Sequence, residues 1–154
     1  MTKLLVISDD GISSGYGRIS MEVNTSLVKR GMNVMAASLY YDGLLPPSLD
    51  GQPLPYWVGS LAGKDWVQAA MGVINAFQPD IIHVVQDAPY AEQIRNAPID
   101  WSRYDFMVTT PVDGAPVHPN WVNLLKKADG VLSISQFGVD THRAAGIVSE
   151  LCRS

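Results

Sequence analysis

The stretch Leu4-Leu5-Val6-Ile7-Ser8-Asp9-Asp10-Gly11-Ile12-Ser13-Ser14-Gly15-Tyr16-Gly17-Arg18 runs from an unbroken aliphatic segment into a glycine-rich loop. Such a continuous apolar run is what a strand covered on both faces requires. Beyond the loop Ile19, Val23 and Leu27 recur at four-residue spacing, with Val28 beside them. That spacing predicts an amphipathic helix. Lys29-Arg30-Gly31 ends it with basic residues in the last turn and a following glycine. Strand, glycine loop and helix in this order begin a βαβ unit.

The same alternation continues outward. Residues 33–38 predict a second strand, and 40–55, rich in Gly, Pro and Asp, predict a loop with little regular structure. A short strand at 56–58 leads to a helix over 64–77 that must end before Pro79. Strands follow at 81–85, 106–110 and 131–135, the last of the chain, with helices over 90–96, 121–127 and 136–145 and Gly146 as a cap. The fold class expected is α/β: a Rossmann-like, mostly parallel β-sheet with helices on both faces. The central strands are expected at 4–7, 34–37, 81–85, 107–110 and 131–135.

Composition bounds the rest. At 154 residues and 47% hydrophobic content, residues 1–154 form a single domain with a full core. Eleven basic residues against fifteen acidic ones give a charge of −4, so nucleic acid is not an expected partner. The lone Cys152 and three scattered histidines supply no disulfide and no standard zinc set. The aspartates that follow Ile7 so closely leave no signal-peptide core, and no run reaches transmembrane length. A cytoplasmic protein that is not transmembrane is the expectation.

In parallel α/β sheets ligands bind outside the carboxyl ends of the strands, which selects the loops 9–17, 86–90, 111–119 and 135–138. Gly15 and Gly17 stand where the first helix begins. Free N–H groups and the helix dipole favour a phosphate there, and a tight capped turn explains the glycines equally well. The pattern is neither G-x-G-x-x-G nor a P-loop. Asp9 and Asp10 could bind a metal as in a phosphorelay receiver domain. That reading fails, because Val85 stands at the acceptor position and the last strand brings no lysine. One aspartate capping the loop and the other solvated is the simpler expectation, with no metal. His83 lies within an apolar strand and is read as a hydrogen-bonded core residue. Asp87 follows the same strand at the ligand-bearing end. Three prolines, Pro111, Pro116 and Pro119, stiffen the loop that presents Asp113 and His118. The tryptophans are read as core or groove-wall residues.

Taken in order, these pieces resemble the N-terminal half of a GT-B glycosyltransferase, in the large retaining family four that uses nucleotide sugars. Leu4–Ser8 with Gly15-Tyr16-Gly17-Arg18 matches its first strand and loop. Leu27-Val28-Lys29-Arg30-Gly31-Met32-Asn33-Val34 resembles its Arg-Gly-His-x-Val turn. Pro79-Asp80-Ile81-Ile82-His83 resembles its Pro-Asp-Val-Ile-His strand, and Ala128-Asp129-Gly130-Val131 through Ser135-Gln136-Phe137 its Ala-Asp-x-Val…Ser-x-Phe segment. The family often carries a His-Asp pair where Val112-Asp113 stands, so Asp113 matches and the histidine does not.

The resemblance implies a nucleotide-sugar donor whose diphosphate meets Gly15, Tyr16 and Gly17. It implies a glycosyl acceptor near Asp9, Asp87, Asp113, Gly114 and His118, with Asp113 the candidate catalytic residue. No cofactor or metal is implied. Transfer would proceed with retention, the departing phosphate taking the acceptor proton. A second Rossmann half, the C-terminal donor-binding domain, would be missing from these residues. Its absence would expose an apolar inter-domain face near Trp121, Val139 or Ile147 and favour self-association. Two other readings stay open. One is a flavodoxin-like mononucleotide-binding module, with Ser13 and Ser14 on a flavin phosphate and Tyr40 or Tyr41 against the ring. The other is a non-catalytic interaction domain of the same fold.

Overall fold

A computed structural model of the chain describes residues 1–63, 65–112 and 114–152. Its elements, in chain order, are β1 (Lys3–Ser8), α1 (Gly15–Lys29), β2 (Asn33–Ser38), β3 (Ser48–Leu49), β4 (Gln52–Pro53), β5 (Trp57–Ser60) and α2 (Trp66–Phe77). There follow β6 (Ile81–Val85), α3 (Ala88–Arg95), β7 (Asp105–Thr109), α4 (Pro119–Lys127), β8 (Gly130–Ser133), α5 (Gln136–Ala144) and β9 (Glu150–Leu151). Seven strands form one sheet in the order β5-β2-β1-β6-β7-β8-β9, and every adjacent pair is parallel. The five strands expected to be central are β2, β1, β6, β7 and β8, flanked at either edge by β5 and β9.

Alternation along the strands feeds two cores. Leu5, Ile7, Ile82, Val84, Phe106 and Val108 pack with Ala70 and Ile74 of α2, Ala91 and Ile94 of α3, and Leu124 and Leu125 of α4. On the opposite face Leu4, Val6, Val34 and Ala36 pack with Leu27 and Val28 of α1. The chain therefore moves outward from β1 through β2 to β5 with α1 on one face. It then returns to β6 beside β1 and continues outward with α3 and α4 on the other face. Strand order reverses between β1 and β6, and a crevice opens at the carboxyl ends of such a pair.

His83 sits in the middle of this sheet, 6% exposed, with its Nε2 2.8 Å from Thr109 Oγ1. Burial pushes its pKa down to about 4. The unfolded chain, with an ordinary histidine, takes up the proton first on acidification. His83 therefore lends stability that is complete above about pH 6.5 and is lost as pH falls toward about 4. We expect its ring resonances to stay fixed from neutral pH down to about pH 5, and the His83 contribution to denaturant midpoints to fall away as pH drops from about 6.5 toward about 4. A titration near the free-histidine value would show that the ring is not enclosed as described.

Several expectations need correcting. The segment 40–55, expected to hold little regular structure, contains a short antiparallel hairpin formed by β3 and β4. Its two-residue turn, Asp50-Gly51, has positive φ at both positions (50° and 78°), as a type I′ turn requires. The helix expected over 64–77 is found from Trp66, Lys64 lying outside the described residues. The helix expected from residue 90 begins at Ala88, with Pro89 in its first turn where the missing N–H costs nothing. The strand expected to be last stops at Ser133, and β9 extends the sheet beyond it. The exposed apolar face expected near Trp121, Val139 and Ile147 is not found there. Val139 and Ile147 are buried, at 7% and 3% exposure, and Trp121 is half-buried. Exposed apolar side chains among the described residues include instead Leu44, Leu45, Trp57, Ile134, Phe137 and Val148. Among the described residues no helix is long and apolar enough to cross a membrane.

Candidate functional site

The crevice between β1 and β6 is spanned by side chains from both loops. Asp9, at the end of β1, accepts from Ser14 Oγ on Oδ2 (3.1 Å) and from Gln86 Nε2 on Oδ1. Ser14 is also the N-cap of α1, its Oγ accepting from the Gly17 amide at 2.9 Å. One carboxylate thus fixes the end of β6 and the start of α1 together. Burial raises the Asp9 pKa, and the bonds from Ser14 and Gln86 oppose that rise. Above this layer Tyr16 donates its hydroxyl to Asp87 Oδ1 at 2.8 Å.

Asp10 is not the solvated partner expected of the pair. It is fully buried, accepting from Ser8 Oγ (2.6 Å) on Oδ1 and from Asn24 Nδ2 (3.0 Å) and Tyr56 OH (2.5 Å) on Oδ2. Burial, then the neighbouring Asp10 charge, raises the Tyr56 pKa. This carboxylate ties β1, α1 and the segment before β5. Its role is structural.

The two loop glycines differ in what surrounds them. Gly17 is buried, and a Cβ there would lie 2.7 Å from both the Asp9 and Ile12 carbonyl oxygens. Gly15 is exposed, and a Cβ there would meet nothing within 4 Å. Gly17 is therefore small so that the loop can close on itself. Gly15 leaves the first turn of α1, where helix geometry leaves N–H donors without intrahelical partners, open to approach. Beside it runs a groove of about 970 Å³ between α1 and the β3–β4 hairpin. Arg18 holds the hairpin against α1 through a two-pronged contact with Asp50, at 3.0 and 3.1 Å, and meets Glu22 at 3.1 Å. The Arg18 guanidinium keeps the Asp50 carboxyl below its usual range.

Tyr40 lines the same groove, its hydroxyl paired with that of Tyr90 and its ring edge-on to Tyr90 at 6.5 Å. That bond, before burial, pushes the Tyr40 pKa up to about 12. Tyr41 is buried, and its hydroxyl donates to the Leu45 carbonyl.

A second cleft, of about 510 Å³, has Asp87 of the Tyr16–Asp87 bridge in its wall. Its walls are the start of α3 (Asp87, Ala88, Pro89), the proline-rich loop (Thr110 to His118 in part) and Trp121 of α4. His118 is the N-cap of α4, with Nδ1 accepting from the Asn120 amide at 3.2 Å, and its ring leans on Trp121 at 5.1 Å. Gly114 and His118 are exposed on this wall. Asp113 lies outside the described residues.

The structure therefore divides the expected site between two neighbouring clefts. Gly15 lines the groove, Asp87, Gly114 and His118 line the cleft, and Tyr16 joins them. Asp9 and Gly17 lie beneath as supports. Sequence reading missed Gln86, although it begins one of the selected loops, and His142, which reaches the cleft from the buried face of α5. Only three-dimensional contact brings His142 there. Among the described residues no three His, Cys, Asp or Glu side chains group as a metal site would need.

No protein-family model and no curated protein matches the sequence. Solved structures do. A sucrose-phosphate synthase from Thermosynechococcus elongatus superposes with a TM-score of 0.61 at 15% identity, over 99% of this chain and 90% of that one. An alpha-glucosyltransferase in complex with UDP-glucose and DNA containing an abasic site superposes with a TM-score of 0.55 at 13% identity. The match spans 98% of this chain and 42% of the glucosyltransferase chain. At such identities the likeness is one of fold, and this chain has the α/β Rossmann-like fold found in both.

Proposed function

We propose that this chain is the acceptor-side domain of a GT-B glycosyltransferase, of the retaining family four type, that transfers a sugar from a nucleotide sugar. The observation that carries the reading is the unobstructed first turn of α1 at Gly15, beside the switch-point crevice and the Asp87–Trp121 cleft. The fold shared with a glucosyltransferase bound to UDP-glucose supports it. The DNA in that complex is not carried over, since a net charge of −4 offers no attraction to a phosphate backbone.

The donor diphosphate is taken to approach Gly15 and Tyr16, where the helix dipole opposes the negative charge that grows on the leaving phosphate. The acceptor occupies the cleft walled by Asp87, Gly114 and His118. The departing phosphate oxygen removes the acceptor proton on the face that the new bond forms, so configuration is retained. The chain needs no strong base of its own, and Asp113 is assigned to orient the acceptor. A second Rossmann unit supplies the other wall of the donor site.

One helix terminus contributes about 1–2 kcal/mol toward a diphosphate in favourable geometry, whereas even millimolar binding needs about 4 kcal/mol. Calorimetry with uridine, guanosine and adenosine diphosphate sugars should therefore give millimolar affinity at best and no transfer by this chain alone. Micromolar affinity, or transfer without a second domain, would overturn the one-wall assignment.

A further inference from the structure

We propose that the Asp87–Trp121 cleft receives a neutral polyhydroxylated acceptor, a sugar or cyclitol without phosphate, and that His142 Nε2 hydrogen-bonds one of its hydroxyls. The inference rests on the acceptor-side reading above and adds to it the chemical class of acceptor and a specificity residue.

Charge is the first argument. Among the described residues lining the cleft there is no lysine or arginine, and the one formal charge is the exposed Asp87 carboxylate. The α3 and α4 N-termini that meet there would favour an anion. Asp87, beside the α3 terminus, already satisfies that preference and repels a second negative group. Asp87 Oδ1 accepts from Tyr16, which leaves Oδ2 for a ligand hydroxyl. Trp121 and the prolines offer the flat apolar wall that the C–H face of a sugar ring covers.

The floor supplies the second argument. His142 is 1% exposed, yet it lines the cleft. Its Nδ1 is 2.9 Å from Ser133 Oγ and 3.1 Å from Ser149 Oγ, and the two hydroxyls are 3.2 Å apart. The ring is therefore held from below, and the nitrogen left for the cleft is Nε2, which meets no partner among the described residues. Desolvation lowers the His142 pKa, so the ring is neutral and offers no charge to an anion. A hydroxyl can donate to Nε2 or accept from it and so suits either tautomer. A phosphate oxygen suits only one.

Protein 15N-labelled at histidine and tryptophan, titrated with methyl α-D-glucoside, myo-inositol and glucose 6-phosphate and followed by 1H–15N spectra, tests this directly. The neutral probes should shift both the His142 Nε2 and Trp121 indole signals, and glucose 6-phosphate should bind at least about tenfold more weakly, a difference of about 1.4 kcal/mol. His142→Phe, which keeps a ring, should lose about tenfold in affinity, and His142→Gln should regain part of it. Movement of Trp121 without His142 Nε2 would overturn the inference and leave the acceptor-side reading standing. Equal or tighter binding of glucose 6-phosphate would overturn the neutral class. No movement of either signal with any probe would overturn both readings.

Discussion

Replacing Asp10 by alanine is expected to cost about 3–5 kcal/mol of folding free energy, a large share of the roughly 5–15 kcal/mol that holds a domain together. The residue is fully buried, and its carboxylate receives three donors from three parts of the chain. Truncation would strand the Ser8 and Tyr56 hydroxyls and the Asn24 amide without an acceptor, each in a place water does not reach freely. Asp10→Asn keeps the shape but turns an N–H pair toward those same donors, so it should recover little. Asp87→Ala is the control, because Asp87 is exposed and its carboxylate accepts from Tyr16 at the surface. Its effect on stability should stay within about 0.5 kcal/mol, while sugar binding in the cleft falls. Urea midpoints at constant slope measure both. An Asp10→Ala shift no larger than that of Asp87→Ala would mean that the buried network is not what joins β1, α1 and the segment before β5.

Adjacent aspartates that the sequence presents as equivalents thus have separate fates, and the reason shows what a sequence can carry. Strand positions were legible because burial on both faces demands uninterrupted apolar runs, as at Leu4–Ile7 and Ile81–Val85. The helix ends at Gly31 and Pro79 were legible because glycine and proline act on the backbone locally. The hairpin at 48–53 was hidden by its short strands, although Asp50-Gly51 is the dipeptide a type I′ turn favours. Side-chain partners that are far apart in sequence were not legible. Asp10 meets Tyr56 across 46 residues and Asp9 meets Gln86 across 77, and no local pattern encodes either pairing. The same holds for His142, whose place in the cleft follows from how α5 and β8 pack, with Ser133 and Ser149 beneath the ring. The carboxyl-edge rule did select the loops that hold Gly15, Asp87, Gly114 and His118. It could not foresee that they fall into two separate clefts.

The glycine pair in the first loop offers the sharpest separation of fold from function, since Gly15 and Gly17 should respond in opposite ways to the same kind of change. A methyl group at Gly17 would sit 2.7 Å from two carbonyl oxygens and 3.0 Å from Ser14 Oγ. Those are backbone and cap atoms that cannot move without opening the loop, so Gly17→Ala should cost about 1–3 kcal/mol, as overpacking does. Gly15 has open space where its side chain would be, at the exposed start of α1. Gly15→Val should therefore leave the urea midpoint within about 0.5 kcal/mol of the parent. Its isopropyl group would nevertheless occupy the approach to the helix N-terminus that the diphosphate is proposed to use. Titration of the chain with uridine, guanosine and adenosine diphosphates, followed by backbone amide shifts at Gly15 and Tyr16, should show at least about tenfold weaker binding, equivalent to 1.4 kcal/mol. A folded Gly15→Val protein that binds these nucleotides as the parent does would remove the loop from the donor site. A Gly17→Ala protein as stable as the parent would mean that the loop closes by some means other than the contacts around its second glycine.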